Sequence, residues 1–212
     1  MKSLIKQLSL FFKLLRAGKI EEKDNLLIFI GDFGADILNK KYEKWYKLCF
    51  FIAINTDANH LQHHVKICRK DKLYIGDNIP NSCGKRDFES GINYVKTHKE
   101  IILRGIRKRP AKKNILVAAL RNSSASGIIA ELSAICKKNN IPAIALVSTP
   151  FKNEGESAEY NSVKALKVLE KNVNRLHIIA CEDLQNKSPL FPQAVNNCFT
   201  ENLEELIENK LG

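Results

Sequence analysis

Six short apolar runs, each followed by a polar loop and then by more polar or helix-periodic sequence, constrain this chain more than any other feature. The runs are Leu26–Ile30, Cys49–Ile54, Leu73–Ile75, Ile115–Ala119, Ala143–Val147 and Leu176–Ala180. The longer ones do not alternate with polar residues, so they read as strands buried on both faces. Strands that alternate with helices need crossover connections, which predicts an α/β fold: a doubly wound, mostly parallel sheet with helices on both faces. Such sheets bind ligands at the carboxyl ends of their strands, where the polar loops of this chain fall.

The central loop is Leu120-Arg121-Asn122-Ser123-Ser124-Ala125-Ser126-Gly127, ahead of a helix carrying Ile128, Ile129, Leu132, Ile135 and Cys136 on its apolar positions. A strand, a small-residue loop and a helix start aim unpaired N–H groups and the positive helix end at one point, which favours an anion. Ser123, Ser124 and Ser126 add hydroxyls, and Arg121 adds a cation. A Ser-rich helix start without a ligand has the same appearance. The first strand leads into Gly31-Asp32-Phe33-Gly34-Ala35, read as a turn before a helix starting near Asp36. Two glycines are too few for the dinucleotide fingerprint. The second strand ends in Asn55-Thr56-Asp57-Ala58, which helix capping alone explains.

His60, His63, His64 and Cys68 share one face if a helix continues through them, but no second cluster stands at ligand spacing, so no metal site is expected. Residues 87–106 read as one helix, ending in the basic run Arg104, Arg107, Lys108, Arg109, Lys112 and Lys113. Such a run suits nucleic-acid phosphates; it equally suits a helix carboxyl end, and no aromatic residues are interleaved. After a loop from Ser148 to Glu156, a helix is expected from about Glu159 to Asn172. The stretch from Gln185 to Pro192 reads as loop, and Thr200–Lys210 as an acidic amphipathic helix with Leu203, Leu206 and Ile207 inward.

The net charge of +11 points to an acidic partner: an acidic protein surface, an anionic membrane or nucleic acid. Six scattered cysteines read as reduced thiols in a cytoplasmic protein. No apolar stretch reaches the roughly 18 residues that span a bilayer. Residues 3–17 form an amphipathic helix candidate, either packed on the domain or lying peripherally on a membrane. We therefore expect an N-terminal extension over 1–24 and one nucleotide-binding-type domain over 25–212.

The order of these motifs resembles the nucleotide-binding domain of the FtsZ and tubulin superfamily. Ala53-Ile54-Asn55-Thr56-Asp57-Ala58-Asn59-His60-Leu61 is similar to the family's V-N-T-D-A-Q-x-L segment, and Val147-Ser148-Thr149-Pro150-Phe151 with Glu154-Gly155 is similar to its V-T-x-P-F-x-x-E-G. The tubulin signature G-G-G-T-G-T-G then falls on Arg121 to Gly127, keeping both hydroxyls and only the last glycine. The resemblance implies GTP or GDP, with Mg, bound by Gly31, Asp32, Phe33, Gly34, Asn55, Asp57, Cys83, Gly84, Arg121, Asn122, Ser123, Ser124, Ala125, Ser126, Gly127 and Glu154. It also implies a cytoskeletal or cell-division role, with a full-length FtsZ-like protein or a second copy as partner.

Several positions depart from the family pattern. The first loop, Gly31 to Asp36, is about two residues short, and the third carries Lys85 and Arg86 in place of small residues. The phosphate-side arginine falls on Ala158, a base-contacting Asn on Cys181, and the guanine-reading Asp near Phe199, while the ribose-contacting Glu is kept as Glu154. Arg121, Lys85, Arg86 and Lys152 are candidates to replace the lost phosphate charge. The acidic loop that completes a neighbour's site in this family, and the second domain, are expected to be absent. The expectation is a divergent FtsZ-like domain that binds a nucleotide or phosphate with little or no hydrolysis of its own; the alternative is an adaptor that uses the fold without a nucleotide.

Overall fold

The computed structural model describes residues 23–77, 87–121, 123–187 and 191–208. Their strands form a six-stranded sheet in the order β3-β2-β1-β4-β5-β6, every neighbouring pair parallel. The strands are β1 (Asn25–Ile30), β2 (Cys49–Asn55), β3 (Lys72–Tyr74), β4 (Lys113–Ala119), β5 (Ala143–Ser148) and β6 (Arg175–Ile179). The helices are α1 (Gly31–Trp45), α2 (Ala58–His63), α3 (Phe88–Thr97), α4 (Lys99–Arg107), α5 (Ser123–Lys138), α6 (Glu156–Asn172), α7 (Cys181–Lys187) and α8 (Phe191–Ile207). The doubly wound, parallel α/β fold expected from the apolar runs is the fold observed.

All six residues of β1 are buried, and their alternation feeds two cores. Leu26, Ile28 and Ile30 pack with Val95, Ile102, Ile129 and Leu169 on one face. Leu27 and Phe29 pack with Ile37, Leu38, Phe199 and Leu203 on the other. Helix α8 is fastened to the amino edge of the sheet, where Lys113 Nζ donates to Leu206 O (3.1 Å) and Asn25 Nδ2 to Ile207 O (3.3 Å). A lysine on the last carbonyls of a helix also complements its dipole.

Two glycines allow α3 and α5 to cross in backbone contact. A Cβ on Gly91 would lie 2.3 Å from Ser124 O, and one on Gly127 would lie 2.0 Å from Phe88 O. Neither position has room for any other residue.

Several boundaries differ from the sequence reading. Helix α1 starts at Gly31 rather than near Asp36, because Gly31 turns the chain in one residue (φ 71°) and Gly34 sets the first turn against Phe29. The segment read as one helix over 87–106 breaks at His98 (φ −98°, ψ 13°) into α3 and α4. Residues 181–187 are helical, and α8 begins at Phe191 instead of near Thr200. Helix α2 stops at His63, so Cys68 does not continue its face. The amphipathic segment 3–17 and the loop holding Lys85 and Arg86 lie outside the described residues.

Gly127→Ala places a methyl group against the carbonyl of Phe88, and overpacking of this kind costs about 1–3 kcal/mol or more. Trp45, the one tryptophan and 1% exposed, reports unfolding by its fluorescence. The urea midpoint of Gly127→Ala is expected to fall by at least that equivalent; an unchanged midpoint would show that the two helices do not meet as described.

Candidate functional site

The chain passes from β1 through β2 and β3 on one side of the sheet and then returns to β4 on the other, so the switch point lies between β1 and β4. Helices α1 and α5 begin there. A Cβ built on Gly31 would stand 3.4 Å from the Cβ of Ala125, so the two helix starts are nearly in contact. Among the described residues the cleft beside them measures about 180 Å³ and is lined by Phe33, Arg121, Ser148, Phe151, Cys181 and Val195, among others. Ligand pockets usually hold about 300–1,000 Å³.

The serine loop is largely internal. Ser126 is fully buried, and its hydroxyl donates to Leu120 O (3.0 Å); Ser124 and Ala125 are buried too. Gly127, the glycine kept from the signature, serves the helix crossing. Ser123 opens α5. Asn122, Cys83 and Gly84 lie outside the described residues.

Arg121 is exposed and leans over the cleft to Glu154, Nη1 to Oε1 at 3.4 Å. The other oxygen of Glu154 accepts from the N–H of Phe151 (2.9 Å), so this carboxylate closes the turn at Lys152–Glu154. Gly155 follows with φ 87°, a conformation that favours glycine. Lys152 pairs with Glu182, whose hydrogen bond raises its pKa above the ordinary value. Both described cations named as phosphate partners are thus engaged with carboxylates.

Across the β1 and β2 ends, Asn55 Nδ2 donates to Asp32 Oδ1 (2.8 Å) while its oxygen accepts from the N–H of Asp57 (3.0 Å). Asp57 caps α2 by accepting from the N–H of His60 (2.8 Å). His60 Nδ1 lies 3.3 Å from Asp32 and its ring stacks on His64. Asn55, Asp57 and Asp32 therefore hold the loops in place. No group of three or more His, Cys, Asp or Glu among the described residues is arranged to hold a metal.

Phe33, in the cleft wall, meets Phe199 edge-to-face, ring centroids 4.7 Å apart; Phe199, expected near the guanine-reading position, is 0% exposed. Ala158, expected at the arginine position, is buried in the first turn of α6. Cys181 opens α7, its N–H donating to Thr149 Oγ1 (3.1 Å). Burial pushes its thiol up to about 11, although a hydrogen bond with Ser148 pulls the other way. The Phe33–Phe199 contact was not foreseen; the apolar residue at position 199 was the signal for it.

The basic run is divided by the fold. Arg107 donates to Asn139 (3.1 Å), Lys112 pairs with Asp24 (2.8 Å), and Lys113 holds α8. Arg109 binds Asp71 and donates to Gly105 O (2.6 Å). No described helix is long and apolar enough to cross a membrane.

Sheet order, switch point and loops together define a doubly wound α/β domain of the nucleotide-binding type. Residues 24–188 match the family model described as Tubulin/FtsZ family, GTPase domain, and the chain belongs to that family. It is similar to the cell division protein FtsZ of Aquifex aeolicus (strain VF5), 23% identical over 167 residues that cover 76% of this chain and 43% of that protein. Cell division protein FtsZ 1 of Thermococcus kodakarensis is also 23% identical, over 78% of this chain and 43% of its own length. The chain thus spans less than half the length of these relatives. Among solved structures, a mutant FtsZ from M. jannaschii superposes with a TM-score of 0.80 at 20% identity, over 96% of this chain and 60% of that one. CetZ1 from Haloferax volcanii, a GDP-bound monomer, superposes with a TM-score of 0.75 at 16% identity, over 87% and 60%.

Only thiolates alkylate, so a raised pKa protects a thiol at pH 8. Burial holds Cys49 and Cys136 at about 12 and Cys181 at about 11, whereas Cys68 is exposed. Iodoacetamide mapped by mass spectrometry is expected to modify Cys68 well before these three; early labelling of Cys181 would mean that the cleft is open.

Proposed function

We propose that this chain acts as an FtsZ-like domain that assembles with a tubulin/FtsZ-type subunit, and that it does not select guanine or hydrolyse GTP by itself. The observation that carries this reading is the contact between Phe33, which lines the cleft of about 180 Å³, and the fully buried Phe199. A guanine ring needs polar groups at its edge, and a site built to hydrogen-bond a ligand loses most of its selectivity when those groups are replaced. Here the aligned positions carry Cys181 and Phe199, both buried.

The phosphate end keeps more of its chemistry. The N–H groups that begin α5 and the cation of Arg121 support a phosphate contact, with Ser123 and Asn122 in the same stretch. Arg121 must leave Glu154 to make it, and because the pair is half exposed its loss costs at most about 1 kcal/mol. The chain retains a place for phosphate without a base pocket. Hydrolysis also needs a group that orients water, and positioning of phosphate alone supports little turnover.

Titration calorimetry with GTP, GDP and ATP, with and without magnesium, tests this directly. Guanine and adenine nucleotides are expected to bind within about threefold of each other, a difference of under about 1 kcal/mol, with phosphate release by the pure protein at background. Guanine preference above about 100-fold, roughly 2.7 kcal/mol, would overturn the reading. The assembly half is checked by sedimentation with a full-length FtsZ: the chain is expected in the filament pellet, and its exclusion would contradict that half alone.

A further inference from the structure

Among the described residues, a cleft with both aromatic and cationic walls lies at the opposite edge of the sheet. It measures about 520 Å³, within the usual range for a ligand. It gathers groups at the strand starts: Lys23 stands ahead of β1, Cys49 begins β2, Lys70 and Asp71 lead into β3, and Lys108 and Arg109 lie between α4 and β4.

The walls combine two chemistries. One is aromatic: Tyr42 and Tyr46, on successive turns at the end of α1, have ring centroids 6.1 Å apart, and Tyr46 is 40% exposed. Phe50 continues this wall, with Lys23 Nζ 5.5 Å from its ring centroid. The other is cationic, four positive groups against the carboxylate of Asp71. Two of the four are fixed: Arg109 binds Asp71, and Lys23 donates to the carbonyl of Tyr46. The remaining two, Lys70 and Lys108, are exposed and make no ion pair with any described residue. A bare phosphate has no use for the rings, and an apolar ligand has none for the cations. A chain of stacked bases joined by phosphates uses both.

We propose that this groove binds single-stranded nucleic acid, with bases stacked on Tyr46 and its neighbouring rings and backbone phosphates held by Lys70 and Lys108. The fold supplies what the linear sequence lacked, since the aromatics missing from the basic run at 104–113 arrive from α1 and β2. The net charge of +11 favours the encounter. The proposal is independent of the carboxyl-edge cleft, because a thymine oligonucleotide carries no guanine and neither lysine lies near that cleft.

The test is fluorescence anisotropy of the full chain with a labelled single-stranded oligothymidylate of about 10 nucleotides, at several salt concentrations. The double variant Lys70→Glu/Lys108→Glu is expected to bind at least about tenfold more weakly and with a smaller salt slope. A control with the same change in charge, Lys138→Glu/Lys167→Glu, is expected to lose less than about threefold. Tyr46→Ala and Tyr46→Leu are expected to weaken binding severalfold while Tyr46→Phe binds as the native chain does, Trp45 fluorescence confirming that each variant is folded. No binding by the native chain at low salt would overturn the proposal. So would equal losses in the control and groove pairs, or native-like binding by Tyr46→Ala.

Discussion

Every strand of this sheet is parallel to its neighbours, so each strand must be followed by a crossover before the next can join. That constraint sends all the strand ends to one edge and all the strand starts to the other. It also requires helices on both faces, and the full burial of β1 depends on that cover. Helices α3 and α5 supply it on one face only because Gly91 and Gly127 let their backbones meet. On the other face α8 runs from Val195 and Asn196, which line the carboxyl-edge cleft, to the sheet's amino edge at Ile207. The same helix that seals the core therefore delivers the aromatic ring that meets Phe33.

Two chemically different clefts follow from this geometry. At the carboxyl edge the chain's own groups meet one another: Phe33 with Phe199, Arg121 with Glu154, Asn55 with Asp32. These contacts order the loops without a ligand, in keeping with the proposed role in assembly. At the amino edge Lys70 and Lys108 line a groove together with the exposed ring of Tyr46. Four of the six residues of the basic run are consumed in fastening Asp24, Asp71, Asn139 and the end of α8.

Much of the fold was legible because buried parallel strands announce themselves as unbroken apolar runs, such as Leu26–Ile30. Boundaries failed where one residue changed the chain's direction. Gly31 turns strand into helix without a loop, and His98 breaks a helix that periodicity alone would continue. The loops around Asn55-Thr56-Asp57 and Phe151 to Gly155 were recognisable because their spacing is set by local hydrogen bonds such as Asp57 to His60 and Glu154 to Phe151. What no local pattern encodes is contact between distant elements. The edge-to-face contact of Phe33 with Phe199, the helix crossing at Gly127 and the gathering of Tyr46 and Lys108 around one groove all join residues far apart in the chain.

The central claim is that the carboxyl-edge cleft is closed by its own side chains and does not seat a guanine base. Hydrogen exchange of the full chain, with and without millimolar GTP and magnesium, addresses it most directly. The account predicts that any protection is confined to the start of α5 near Ser123, while the amides from Gly31 to Ala35 and around Cys181 and Phe199 exchange as they do without nucleotide. Strong GTP-dependent protection of those three segments, absent with ATP, would contradict it.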